Sequence, residues 1–509
     1  IQLMLLNKKI VILAGALLLL VPIVTFLSNT NLPQILVEDI FLIIISQLTI
    51  LISIIIANSI FHKLFLKKFL KIEIFLLINF FTIYLLFFFK NIKNLFYSFE
   101  NFHFLFDEIF TLFIYGFIYF LLIRFNKKYI NFLSRFLLIY ISAVLFISFL
   151  NMFNFQFNGE KNSLPSSDFD NVSANSNQTN IFLIILDGMI NLEPAKKLKI
   201  IENKNKIINS LNKNNYTHKE DFFSNYNTSY LSIASLLQSS YPATEDSKKY
   251  YNRNKFFPSF ILNEKRENTF FKVLKKTKKQ FFWVGNEWFF CRENLYINCL
   301  SEDPVYKKIS RLKLFYSDSI FIYFLSFYSP QIPQKGALNF LINPNLKLDN
   351  TNQNGNIFLI HALSPHPPFI FNQDCKIKDK INDTSIDEEI KYYSFAYNCL
   401  LEIVNNFTRK IEKNNANNMF FVMGDHGWAF DKSIMDKVNL DPKEIRFKPF
   451  FSYNIPPKCK NIPSPNSIVN ILRFALICDG NKDIKYLKDF KFKSFYEDDL
   501  NYGKVYLKN

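Results

Sequence analysis

No C-x-x-C spacing occurs anywhere in this chain, and no cysteine precedes Cys291. The first absence argues against a cysteine-ligated zinc cluster. The second confines all six cysteines to the later part of the sequence. No basic recognition helix, glycine-rich RNA motif or zinc finger accompanies the net charge of +17, so no nucleic-acid partner is expected. Lysine is spread along the chain with abundant Asn, Ile and Phe, a compositional bias that also favours an anionic membrane surface. No internal repeat is visible.

Charge is missing from three long stretches. Ile10–Val37, Ile40–Phe61 and Phe136–Phe157 contain no Asp, Glu, Lys or Arg, and each is long enough to cross roughly 30 Å of hydrocarbon as a helix. Two shorter runs, Ile74–Phe89 and Ile109–Ile123, are extended by aromatic flanks and by Lys90 and Arg124, which can snorkel to an interface. Residues 1–157 are therefore expected to form an all-α transmembrane bundle of five helices, the first retained and not cleaved, with Asp107 and Glu108 at an interface. Basic residues set the orientation. Lys8 and Lys9, then His62, Lys63, Lys67, Lys68 and Lys71, then Arg124, Lys127, Lys128 and Arg135 all fall on one side, which becomes cytoplasmic. Everything after Phe157 then lies outside the cytoplasm.

Cysteine usage agrees with that placement. The six fall as sequence-local pairs, Cys291 with Cys299, Cys375 with Cys399 and Cys459 with Cys478, as expected for disulfides in an oxidising compartment. Residues 158–180, rich in Ser and Asn, read as a linker. From Ile181 to Asn509, short apolar runs (IFLIILD, FFWVG, NIFLIHAL, MFFVMGD) alternate with polar helical segments. That alternation predicts an α/β domain with a largely parallel sheet covered on both faces.

Ligand sites in such sheets gather at the carboxyl ends of strands. Three runs end in chemically capable groups: Asp187 after IFLIIL, His361 and His366 after NIFLI, and Asp425-His426 after MFFVMG. An Asp beside a His suits a divalent metal, although a strand-end Asp also serves as a turn former or helix cap. In SNYNTSYLSIASLLQSSYP, Thr228 or Ser229 stands at a helix start. Either hydroxyl simply caps the helix, or it is a nucleophile activated by a metal at a terminus that attracts phosphate or sulfate.

LDG at 186–188, NYNTSYLSIASLLQ at 225–238, HALSPHPPF at 361–369, GDHG at 424–427 and IVNILRFAL at 468–476 together resemble the ordered motifs of sulfatase-like membrane transferases of the alkaline phosphatase superfamily. With five helices ahead of them they resemble phosphoethanolamine transferases and lipoteichoic acid synthases. The resemblance implies an alkaline phosphatase/sulfatase-like catalytic domain and one divalent ion, Zn, Mn or Mg, held by Asp187, Asp425, His426 and the nucleophile Ser229. Thr228 is the neighbouring candidate nucleophile; counting back from the small-residue helix favours Ser229. His366 is implied as a catalytic group meeting the phosphoryl or leaving oxygen. His361 is either a substrate-side or metal-supporting residue or a core histidine, and His218 is structural by default. Formylglycine sulfatases need C/S-x-P-x-R, but Leu231 and Ile233 occupy the Pro and Arg positions.

The resemblance further implies a multi-pass protein of a bacterial inner membrane with its catalytic domain in the periplasm or outside the cell. It would move a phosphoethanolamine or phosphoglycerol head group from a membrane phospholipid to an envelope glycan or glycolipid through a covalent phospho-enzyme. An anchored sulfatase or phosphoesterase, and a catalytically silent envelope-assembly protein, are the alternatives. The topology has its own test: a reporter fused after Asn180 is expected to be active only outside the cytoplasm, and one after Lys68 only inside. The reverse pattern would refute the five-span arrangement.

Overall fold

The computed structural model describes residues 17, 21–25, 37–61, 63, 132, 135–136, 138–148, 150, 169, 172, 179–243, 251–252, 261–262, 269–284, 294–300, 315, 335–344, 355–378, 386–412, 417–496 and 502–507. The chain divides into two compact units, residues 1–162 with 304–329, and residues 163–303 with 330–509. The expected spans Ile74–Phe89 and Ile109–Ile123, most of Ile10–Val37, most of the linker and Cys291 lie outside the described residues.

In the first unit, helix α1 covers Val37–Phe61. Among the described residues no helix is long and apolar enough to cross a membrane. α1 itself nevertheless has 25 residues, no basic residue, and acids only at Glu38 and Asp39 in its first turn. It is about 37 Å long at 1.5 Å per residue. Phe41, Ile45, Leu48, Ile52, Ile56 and Ile60 are exposed along it, a spacing of three to four residues that makes one continuous apolar stripe. Such an exposed apolar stripe is costly in water.

The second unit is built on strands β1 (Asn180–Leu186), β2 (Thr217–His218), β3 (Tyr251–Asn252), β4 (Gln280–Val284), β5 (Ile297–Leu300), β6 (Asn356–Ala362), β7 (Asn418–Met423), β8 (Phe451–Asn454), β9 (Phe492–Tyr496) and β10 (Tyr502–Leu507). Its principal helices are α2 (Leu192–Lys197), α3 (Lys204–Lys213), α4 (Ser229–Gln238), α5 (Thr269–Thr277), α6 (Lys335–Ile342), α7 (Ile386–Glu412) and α8 (Ile471–Cys478). The main sheet runs β2-β8-β7-β1-β6-β4-β5, and β3-β10-β9 form a small antiparallel sheet. β7, β1, β6 and β4, the four apolar runs, are mutually parallel as expected, and β5 joins them in parallel at the edge. β8 departs by running antiparallel to β7. The segment between them carries two short helices, Lys432–Lys437 and Pro442–Ile445.

β1 is buried at every position because both of its faces are covered. Phe182, Ile184 and Leu186 enter a core with Tyr393, Ala396, Tyr397, Leu400 and Phe407 of α7. Ile181, Leu183 and Ile185 enter a second core with Ile233, Ala234 and Leu237 of α4 and Ile471, Leu472 and Phe474 of α8. The period of two along a strand divides one apolar run between the two layers. In-register pairing stacks Phe282, Phe358, Phe182 and Phe420 into a ladder across four neighbouring strands, with ring centroids 4.9, 4.6 and 4.8 Å apart. Phe407 meets Phe182 edge-on at 5.9 Å.

At the amino end of the sheet, the Lys279 amine donates to the Thr179 carbonyl at 2.9 Å and pairs with Asp479 at 3.1 Å. Both side chains are almost wholly buried. Cys375–Cys399 ties the segment after β6 to α7, and Cys459–Cys478 ties the segment after β8 to the end of α8. Cys299 is also disulfide-bonded.

Because Phe182 is the centre of the ladder, Phe182→Ala is expected to lower unfolding free energy by about 3 to 5 kcal/mol. Urea denaturation of the purified protein, followed by far-UV circular dichroism, measures it.

Candidate functional site

β7, β1 and β6 are adjacent, so the three motif-bearing strand ends open on one place. Asp187, Asp425 and His426 are buried there, and each offers a ligand atom within 4.8 Å of the others. Neither carboxylate oxygen of Asp187 accepts a hydrogen bond among the described residues. Asp425 uses its two oxygens differently. Oδ1 accepts the Gly188 and His426 backbone N–H groups, both at 2.9 Å, whereas Oδ2 has no donor. Three buried carboxylate oxygens without donors are costly unless a cation is present. They fit a divalent ion.

His426 adds the nitrogen. Its Nδ1 lies 2.9 Å from the Gly427 carbonyl, which can only accept, so Nδ1 carries the proton and Nε2 presents a lone pair. Ser229 Oγ is 3.1 Å from that Nε2. Ser229 is the first residue of α4, and Thr228 is its N-cap by backbone position (φ −141°, ψ 141°). The Thr228 side chain makes no capping hydrogen bond, and its buried Oγ1 has no hydrogen-bond partner among the described residues. Helix capping is thus not what the Thr228 hydroxyl does.

Two histidines flank Asp187. His361 Nε2 is 3.4 Å from Asp187 Oδ2, a charge contact longer than a well-formed hydrogen bond. His366 donates its backbone N–H to the Asp187 carbonyl at 3.1 Å and packs its ring 4.6 Å from Trp428. Burial opposes ionisation of Asp187, but His361, His366 and His426 together hold its carboxyl down at about 2. Burial pushes the His426 imidazole below its ordinary value, and Arg446 adds to this while Asp425 opposes it. His218 stands apart: it lies 3.4 Å from Glu220 and stacks on Phe450.

A scaffold of polar contacts holds these positions. Tyr393 of α7 donates to the Gly188 carbonyl at 2.8 Å and accepts from the Ile190 N–H at 3.0 Å, and Tyr397 donates to the Ile190 carbonyl at 3.0 Å. Buried Ser224 Oγ lies 2.7 Å from the Asp425 carbonyl and 2.9 Å from Ser232 Oγ, joining the β7 loop to α4. A Cβ at Gly427 would stand 1.9 Å from the Ile445 carbonyl oxygen, so only glycine allows that approach.

Sequence reasoning missed Arg446, Trp428 and Glu389. Arg446 Nη1 is 3.4 Å from His426 Nδ1, a close approach of two N–H groups and not a hydrogen bond once Nδ1 donates to Gly427, and its guanidinium is 5.2 Å from the Trp428 ring. Trp428 Nε1 donates to Glu389 at 2.9 Å. Trp428 was within reach of the motif, two residues past His426. Arg446 and Glu389 end no apolar run and carry no local signal.

No protein-family model and no curated protein matches the chain. Solved structures do. The full-length lipooligosaccharide phosphoethanolamine transferase A of Neisseria meningitidis is 10% identical, with 94% of this chain and 96% of that one covered and a TM-score of 0.39. The periplasmic domain of a phosphoethanolamine transferase from Campylobacter jejuni is 15% identical over 61% of this chain and 90% of that one, with a TM-score of 0.37. The zinc complex of the corresponding Escherichia coli domain is 10% identical over 67% and 95%, with a TM-score of 0.39. At such scores and identities these likenesses carry no functional argument; the geometry must.

The His426 shift sets a pH dependence. Its imidazole is neutral above a pKa that burial has lowered, so affinity for a divalent cation should stay level as pH falls from about 8 to about 6.5. It should fall only below that, as His426 gains a proton. Calorimetric zinc titration across this range checks it; a decline centred above about 6.5 would contradict the assignment.

Proposed function

We propose that this protein transfers a phospholipid-derived head group, phosphoethanolamine or phosphoglycerol, to an envelope glycan or glycolipid through a phosphorylated Ser229. The observation that carries the reading is the convergence of the Ser229 hydroxyl with donor-less buried oxygens and the His426 lone pair at the start of a ten-residue helix. A helix start favours an incoming phosphoryl group. The apolar stripe on α1 supports a membrane setting, which would keep the site near lipid donors and raise their effective concentration.

Asp187, Asp425, His426 and Ser229 would hold one divalent ion, Zn, Mn or Mg. When bound, such an ion lowers the pKa of a hydroxyl and neutralises phosphoryl charge. The chain's own groups do the rest. Ser229 Oγ, its proton released to solvent when the ion is bound, forms a bond to phosphorus as the bond from phosphorus to the diacylglycerol oxygen breaks, and the departing oxygen takes a proton. His366, half-buried with Nδ1 against the Pro367 carbonyl, supplies that proton from Nε2. In the second half-reaction an acceptor hydroxyl gives its proton to His366 and attacks phosphorus, and Ser229 leaves. Asp425 Oδ1 keeps the loops after β1 and β7 in register throughout.

Incubation of the purified full chain with head-group-labelled phospholipid and acceptor glycan should yield diacylglycerol and labelled glycan. Free head group instead would mark a hydrolase, and no lipid turnover would defeat the proposal. Ser229→Ala should abolish the labelled enzyme with cation binding largely kept; Asp425→Ala should lose both. His366→Ala should slow turnover by roughly 10² to 10⁴-fold with the cation retained. If Thr228→Ala, and not Ser229→Ala, removes the label, the nucleophile is the preceding residue.

A further inference from the structure

We infer that residues 482–491 form a basic strap whose lysines dock the second unit on the anionic phospholipid head groups of a bilayer. The inference rests on the membrane setting argued above and adds to it a contact surface made of residues that take no part in the transfer.

The strap repeats in threes. Lys482-Asp483-Ile484, Lys485-Tyr486-Leu487 and Lys488-Asp489-Phe490 each open on a lysine and close on an apolar residue, and Lys491 follows. Residues 484–491 are neither helix nor strand, and a period of three is that of an extended, polyproline-type chain. Burial keeps the same period. Lys482, Lys485 and Lys488 are exposed, whereas Ile484 is buried and Leu487 and Phe490 are half-buried. One edge of the strap is therefore lysine and the other is core.

Side chains of the domain hold its backbone in place. Asn470 donates to the Leu487 carbonyl at 3.0 Å and accepts the Leu487 N–H at 2.9 Å. Arg473 donates to the Lys485 carbonyl and Tyr241 to the Lys488 carbonyl, both at 2.6 Å. The Asn225 side chain donates to the Phe490 carbonyl at 2.8 Å, and its own carbonyl accepts the Phe492 N–H at 2.7 Å. Asn225 stands four residues ahead of Ser229, so the strap is fastened to the segment that leads into α4.

The acids of the strap leave its lysines unneutralised. Asp489 turns inward, accepting from Ser467 Oγ at 2.5 Å and Asn470 Nδ2 at 3.0 Å. Among the described residues, Lys482, Lys485, Lys488 and Lys491 form no ion pair. Burial and the neighbouring Lys448 push the Lys491 amine below its ordinary value, a repulsion that phosphate groups would relieve.

Shape selects the kind of anion. Pockets for small ligands are concave, but these lysines stand out along a ridge, on flexible stems that suit a flat and diffuse array of phosphates. No large apolar side chain of residues 482–493 is exposed. Contact is thus with head groups alone, and it is sensitive to salt.

The full chain in lipid nanodiscs tests this by acetylation with a neutral N-hydroxysuccinimide ester, read by peptide mass spectrometry. One set of discs is phosphatidylcholine and the other an equimolar mixture with phosphatidylglycerol. Lys482, Lys485, Lys488 and Lys491 should react roughly fivefold more slowly in the anionic discs, and about 1 M salt should restore their rates. Lys206 and Lys213, exposed on α3, should react equally in both. Lys485→Glu combined with Lys488→Glu, at two exposed positions, should remove the protection from Lys482 and Lys491. Equal strap rates in both discs would overturn the inference, as would protection shared by Lys206 and Lys213, or protection that outlasts salt or the double variant. Protection by a soluble anionic glycan in phosphatidylcholine discs, with none from phosphatidylglycerol, would overturn it in favour of acceptor binding. Acetylation needs no reaction at Ser229, so failure of the strap and failure of the transfer reading are told apart.

Discussion

Asp425 Oδ1 accepts two backbone N–H groups, one from Gly188 beyond β1 and one from His426 beyond β7. Everything else at the site depends on that shared acceptor. It joins two loops that are 237 residues apart in sequence, and it commits one carboxylate oxygen to structure while its twin stays available. A charged acceptor with two short N–H donors is among the stronger hydrogen-bonding arrangements in a protein interior. Loss of this carboxylate would therefore loosen the Asp187 loop as well as remove one of the buried oxygens that face the site.

Around that acceptor the chain spends several large side chains on holding loops still. Tyr393 and Tyr397 reach from α7 to the backbone of residues 188 and 190, and the Cys375–Cys399 bridge fastens the same helix to the segment that follows His366. α4 is buried from Ser229 to Leu237. Its Ser232 and Ser235 satisfy their hydroxyls locally, so the helix start that carries the Ser229 hydroxyl is enclosed by core on most sides. Such enclosure preorganises a site, because few rotamers remain to be lost on binding.

Much of this was legible in the sequence. Charge-free runs ending in Asp187, His361 and Asp425 mark strands whose carboxyl ends carry the chemistry, and their continuous apolarity reports burial on both faces. What the sequence does not contain is strand order. That β1 lies between β6 and β7 is a property of the folded sheet, and it turns three separate strand ends into one site. Arg446 and Glu389 were illegible for a different reason. Each reaches the site from a connecting segment or a helix surface, where a charged residue ordinarily faces solvent and no periodicity marks it. β8 escaped as an antiparallel strand because a four-residue run carries no record of direction.

Thr179, immediately ahead of β1, is where the preceding chain enters the sheet, and its carbonyl is gripped by the Lys279 amine that also pairs with Asp479. Mechanical load arriving along that chain meets this buried clamp before it meets the strand. The clamp sits at the amino end of β1, and Asp187 follows the strand's carboxyl end. From Thr179 to Asp187 is eight residues, so at about 3.3 Å per residue the anchor and Asp187 stand roughly 26 Å apart. Force along β1 would be carried as shear across the β1–β6 and β1–β7 ladders, away from the Asp187 end of the strand.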